Sequence, residues 1–252
     1  MLFLRISILC WQRLLVSKQV TTLRFFRFSG WAKWWAFGMM QFAHRPLKRV
    51  KGQQFYKLMG SGKQAFNPWP DYTTYALLQV WDSDEDARRF HAQAEIANRY
   101  IRRCDGTWTL YMKNVISRGL WDKKNPFEKS SSLDENNPLL TVITRATIKL
   151  SLLRRFWKHV PYSQEGMDQH KELKYTKGIG EIPFTQMATF SVWESIDGLN
   201  AFAYQQKNHV SAIKLTRELN WYKEELFSRF QPYDTEGNWP ETLELKALIN
   251  QE

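Results

Sequence analysis

The chain is poor in cysteine. Its two, Cys10 and Cys104, fit no CxxC or zinc-ligand spacing, so nothing suggests a disulfide scaffold or a structural metal, and free thiols in a reducing compartment are the expectation. Acidic residues are missing from the first 70 positions: no Asp or Glu precedes Asp71. A run of about 18 to 20 apolar residues, as a membrane-spanning helix needs, is also missing, because Arg5 and Arg13 interrupt the opening MLFLRISILCWQRLLV. Arg13 likewise breaks the apolar region of a cleaved signal peptide, and no small-residue cleavage site follows. Residues 1–19 therefore read as an extension that is mobile or lies on a membrane surface. There is no Ser-His-Asp order, HExxH pair or separated acid pair, which leaves hydrolase chemistry little to rest on. The glycines of KLMGSG lack the spacing and following helix of a phosphate loop and read as a bulge or turn.

What is there is apolar and aromatic. With 252 residues, 43% hydrophobic and 15% aromatic, the chain can bury the core of one large domain or two small ones. Lys and Arg occur twelve times in the acid-free first 70 residues, so essentially the whole net charge of +11 belongs there, beside Trp11, Trp31, Trp34, Trp35 and Trp69. Three readings stay open. Such a surface suits the headgroup level of an anionic membrane. It could also track phosphates and stack bases, although no helix-turn-helix, RNP-like or zinc-finger spacing supports nucleic acid. It could be a solvated positive face over core aromatics.

The chain repeats itself. YALLQVWDSDEDARRF (Tyr75 to Phe90) aligns without gaps on MATFSVWESIDGLNAF (Met187 to Phe202): a strand-like run, a Trp, an acid, a Ser, and a Phe nine positions after the Trp. Extended outward, both halves read β-α-β-β-α-β. The first runs from VTTLRFFRF to TWTLYMKNV, with a helix capped by Asp82 or Ser83. The second runs from LLTVITRATIK to FSRFQPY, with one long helix from Ile196 to Leu226 before the last strand.

The pattern predicts an α+β fold of two tandem ferredoxin-like halves, each an antiparallel sheet with helices on one face, packed as a pseudo-dimeric α/β barrel with a cavity between the sheets. The expected layout is an extension (1–19), a first half (20–116), a polar linker (117–138), a second half (139–234) and a tail (235–252).

Two constellations could carry chemistry. Phe202, His209 and Ile213 share one helix face, and the ungapped repeat puts Ala97 opposite His209, so this histidine belongs to the second half alone. It is either a core histidine satisfied by a hydrogen bond or a metal ligand. His44, His91, His159 and His170 lie in less suggestive surroundings. In TRATIK, strand alternation places Arg145, Thr147 and Lys149 on one face, where Arg145 could hold a cofactor carboxylate or polarise bound oxygen; otherwise the set is the wet face of a strand.

The motifs WAFGMMQFAHRPL, FYKLMGSG, ITRATIK, GIGEIPFTQMATFSVW, the spaced residues from Ala201 to Phe230 and the closing GNW, in this order from Val20 to Trp239, resemble the spheroidene monooxygenase family. The resemblance implies an O2-dependent enzyme that hydroxylates an acyclic carotenoid near its end and repeats the step to a ketone. It implies haem as cofactor and a ferredoxin-type electron donor. His209 falls on the family's histidine and would be the iron ligand, Arg145 would contact a haem propionate or the distal side, and Trp157, Phe190, Trp193 and Phe202 would wall the substrate cavity. Trp31, Trp34, Trp35 and Met39 of the first helix would form a lipid-facing entry. A carotenoid must be collected from a bilayer, so the expected location is cytoplasmic, peripheral on the inner membrane, without nucleic acid. A cofactor-free oxygenase of the same barrel type and a non-catalytic haem- or carotenoid-binding protein remain alternatives.

Overall fold

A computed structural model of the protein describes residues 17–63, 67–163, 170–205 and 219–250. Eight antiparallel strands close into a barrel in the order β1-β3-β2-β6-β7-β5-β8-β4, with helices outside it. The first half contributes β1 (Val20–Arg27), β2 (Gln53–Lys63), β3 (Asn67–Trp81) and β4 (Gly106–Gly119). The second contributes β5 (Leu140–Ile148), β6 (Leu173–Ile182), β7 (Gln186–Trp193) and β8 (Tyr222–Gly237). Helices α1 (Ala32–Phe42), α2 (His44–Leu47), α3 (Asp84–Gln93) and α4 (Glu95–Ile101) belong to the first half. α5 (Leu153–Ser163) and α6 (Ile196–Asn200) belong to the second, and α7 (Pro240–Ile249) follows β8.

The repeat is visible in the register. Val20 pairs with Trp81, and Leu140 pairs with Trp193. After each Trp, a serine caps the next helix: Ser83 Oγ accepts from the Asp86 N–H at 3.2 Å and Ser195 Oγ from the Gly198 N–H at 3.0 Å. The two sheets join at two seams. β4 and β8 pair from Trp108↔Gly237 to Gly119↔Leu226, whereas β2 and β6 share only Gly60↔Gly180 and Ser61↔Ile179. The glycine stretch does carry bulges, at Gly60/Ser61 and Gly62/Lys63, as its sequence suggests.

Strand alternation sorts the core. On β1, Leu23 and Phe25 point into the barrel while Arg24 and Phe26 face the helices. The space between the sheets, expected to be a cavity, is filled. Phe25 lies 5.7 Å from the rings of both Trp108 and Phe190, and Trp108 4.7 Å from Tyr175. Trp239 and Leu245, at and within the start and middle of the α7 segment, join this core at one end of the barrel. Trp121 and Phe127, both from the expected linker, join it elsewhere.

Other boundaries also move. β4 runs to Gly119, three residues past the expected end of the first half at 116, and the expected tail forms α7. Gly119 has φ +95°, and a Cβ there would strike the Glu225 carbonyl, so the close approach of β4 to β8 needs glycine. The helix expected to reach Leu226 ends earlier, because β8 starts at Tyr222 and its residues alternate between barrel and solvent while pairing with β5. In the first half, Ala94 (φ −68°, ψ 128°) divides the expected single helix into α3 and α4.

Candidate active site

Arg145 sits on the barrel side of β5 and is 2% exposed. Two carboxylates already hold it: Glu224 of β8, in a short ion pair, and Glu181 of β6 at 3.8 Å. Its guanidinium lies 5.5 Å over the Trp121 ring, whose Nε1 donates to Glu181 at 2.8 Å. Lys57 bridges Glu181 and Asp122, the latter at 2.5 Å. The backbone N–H groups of Asp122 and Lys123, both at positive φ, donate to Glu224 at 3.1 and 2.8 Å. Burial by itself would raise the Glu224 pKa; the Lys123 N–H and Arg145 outweigh it and hold this carboxyl below its ordinary range. Three carboxylates and two cations make one ion-pair network, with Arg145 Nε buried and, among the described residues, without a hydrogen-bond partner.

The expected wall residues fall in three places. Phe190 is buried inside the barrel. Trp193 and Phe202 meet at a tilt, 5.5 Å apart, on the opposite face of the second sheet, with Leu140, Val142 and Leu199. Trp157 is on α5, where its Nε1 donates to the Phe184 carbonyl at 3.0 Å. Arg145 faces the barrel and so lies on the other side of β5 from Leu140 and Val142.

His209 lies outside the described residues, beyond the turn Ala201–Gln205 that leads toward it. The sequence gives little weight to His170, yet its ring is 5.6 Å from Trp193 and 6.3 Å from Phe202, with a buried Nδ1 that has no hydrogen-bond partner among the described residues. The first half has a related cluster: Trp81 and Phe90 are 5.2 Å apart, and His91 meets both rings edge-on. Burial, reinforced by the charges of Arg24 and Arg88, lowers the His91 pKa well below 6.5. No local sequence signal marks either histidine, because each meets its tryptophan only through the tertiary fold. Among the described residues no cluster of three or more His, Cys, Asp or Glu could hold a metal ion.

On the first helix, Trp31 and Trp34 are exposed as expected, but Met39 is buried and Trp35 turns to Tyr100 at 5.2 Å, because positions 35 and 39 lie on the inner face.

Comparison with known proteins decides the family. The chain is 35% identical over 224 residues to the spheroidene monooxygenase of Rhodobacter capsulatus, a match covering 87% of this chain and 92% of that one. The chain belongs to the spheroidene monooxygenase family. It is 35% identical to the Cereibacter sphaeroides protein of that name, over 88% of this chain and 69% of that one. The Rubrivivax gelatinosus protein of that name is 29% identical, over 82% and 80%. It is thus an oxidoreductase, a monooxygenase by family. No family model matches. Among solved structures, an aldoxime dehydratase superposes with a TM-score of 0.57 at 12% identity, covering 85% of this chain and 81% of that one. A second, in complex with butyraldoxime, also gives 0.57, at 9% identity, over 87% and 81%. These show a shared fold.

Proposed function

We propose that the protein oxygenates an acyclic carotenoid of the spheroidene type near its end, first to an alcohol and then to a ketone, with haem as cofactor and electrons from a ferredoxin. The observation that carries this is the 35% identity with spheroidene monooxygenases over most of the chain. Breaking an unactivated C–H bond is beyond protein side chains, and haem, when bound, supplies that oxygen chemistry.

The second half has residues that fit such a group. Between its sheet and helix side lie Trp193, Phe202, Leu140, Val142 and Leu199, an apolar set suited to a flat macrocycle, with the buried Nδ1 of His170, unpartnered among the described residues, beside them. His209 follows on the same segment as Phe202 and is assigned as the iron ligand. Trp193 and Phe202 would pack on the macrocycle and exclude water. Arg145, the earlier candidate for a propionate contact, is engaged by Glu224 and Glu181 inside the barrel; we assign it to ordering that network. We also read the two halves as tandem ferredoxin-like units about a pseudo-twofold axis. The strand order, repeated in each half as 4-1-3-2, supports that reading, as does the pairing of Gly60 with its counterpart Gly180.

The test is the absorption spectrum of the purified protein and of His209→Ala and His170→Ala, each expressed with haem precursor. A Soret band lost or shifted in His209→Ala supports the assignment. A spectrum changed only in His170→Ala moves the ligand to His170. The absence of a band in an active wild-type protein selects the cofactor-free alternative. Given reductant and carotenoid, the enzyme is expected to consume oxygen and form the alcohol before the ketone; a haem-loaded protein that consumes none would be a binding protein.

A further inference from the structure

Trp31, Trp34 and Phe37 recur at every third position of the α1 segment and point outward; Trp31 is 87% exposed, and Phe42 at the helix end is 73% exposed. Trp34 and Phe37 both meet the Tyr72 ring of β3, at 5.8 and 5.7 Å. Three residues earlier on β3, Trp69 is 63% exposed and meets Phe184 edge-on at 5.9 Å. Phe184 belongs to the turn between β6 and β7 and touches Trp157 of α5 at 6.2 Å. Leu150, just before α5, is 77% exposed. The apolar surface therefore crosses the β2–β6 seam and draws on both halves, although the acid-free sequence segment lies wholly in the first.

Exposed basic residues flank this surface. Lys33 and Lys63 flank its first-half part, and Arg154, Arg155 and Lys158 project from α5, whose sequence contains no acid. The carboxylates near the seam are spoken for: Asp71 accepts from Lys177 at 2.9 Å, and Glu181 is bound to Lys57 and Trp121. Exposed aromatics grouped in this way, one set on α1 and Tyr72 and one running from Trp69 through Phe184 to Trp157, mark an interaction surface. A second copy of the chain would set the same positive charges face to face. Tryptophan and tyrosine mixed with Lys and Arg are instead the chemistry of a lipid headgroup layer.

We propose that this face docks on the interfacial layer of an anionic phospholipid bilayer, with both halves in contact. The inference takes its motive from the proposed carotenoid substrate, but the docking is measured without substrate or haem, so either reading can fail alone.

The experiment is flotation of the full chain with vesicles of phosphatidylcholine, with and without phosphatidylglycerol, while indole emission is recorded. Binding to the anionic vesicles with a blue-shifted emission is expected. The double variant Trp31→Ser/Trp69→Ser should lose the blue shift and most of the binding. Each basic residue near an anionic surface is worth about fivefold in affinity, so Arg154→Glu/Arg155→Glu should weaken binding by at least about 25-fold. Lys129→Glu, in the exposed part of the segment joining the halves, should leave binding unchanged. The two double variants replace exposed side chains and test the same face independently, so one that fails to fold leaves the other decisive. Absence of vesicle binding, or binding undiminished in a folded double variant, overturns the proposal. So does a wild-type dimer in size-exclusion chromatography that the tryptophan variant dissolves, for a second copy would then occupy the face.

Discussion

At the scale of single residues, buried polar groups separate function from framework. His91 is buried, its Nε2 lies 3.3 Å from Thr22 Oγ1, and its Nδ1 has no partner among the described residues. Its lowered pKa keeps it neutral in the native state while the unfolded chain protonates it near 6.5. The unfolded state then binds more protons as pH drops below that value, so this residue makes the fold less stable on acidification, by up to about 1.4 kcal/mol per pH unit. His91→Phe should flatten that part of the slope. Urea midpoints of the two proteins at about pH 7 and about pH 5 check this; parallel slopes would clear His91 of the effect. The sequence singled out His209 by periodicity and repeat asymmetry, which are local properties. His91 and His170 carry no comparable sequence signal, because only the fold turns each ring onto the tryptophan that ends β3 or β7. The Arg145 face was legible from strand alternation, but Glu224 and Glu181, which claim its charge, come from two other strands.

At the scale of elements, the two seams differ in strength. β4 and β8 are paired over a long register, and β2 and β6 over only Gly60↔Gly180 and Ser61↔Ile179, helped by Lys177–Asp71 and Lys57–Glu181. Backbone hydrogen bonds in a short, glycine-containing pairing open more readily than those of a long ladder. Amide exchange should be faster for Gly60, Ser61 and Ile179 than for Leu110 to Met112 of β4; equal protection would show that the side-chain pairs compensate. Short elements with caps or clean alternation were readable in advance: Ser83 caps α3, and β1, β5 and β7 fall close to their expected limits. The mixed polar and apolar residues from Tyr222 to Leu226 fit both the helix and the strand period; pairing with β5 selects the strand.

At the scale of the whole molecule, the halves share one core. Phe25 and Trp108 of the first half pack against Phe190 and Tyr175 of the second, and Trp239 lies over Phe25 at 5.7 Å. A chain ending near residue 119 would expose that aromatic surface and the free edges of β2 and β4. The first half expressed alone is therefore expected to aggregate or self-associate, and light scattering should show no stable folded monomer; a monomer with a cooperative melt would mean that each half carries its own sufficient core.

By itself the sequence determined most of the strands, the family, and the placing of nearly all net positive charge before residue 71, because these reside in local pattern, spacing and composition. Tertiary structure alone decided that the space between the sheets is packed and that Arg145 is already paired. It also joined the exposed aromatics of both halves into one face across the β2–β6 seam. Those outcomes depend on which distant side chains meet when eight strands close on themselves, and no periodicity along one strand encodes its neighbour across a barrel.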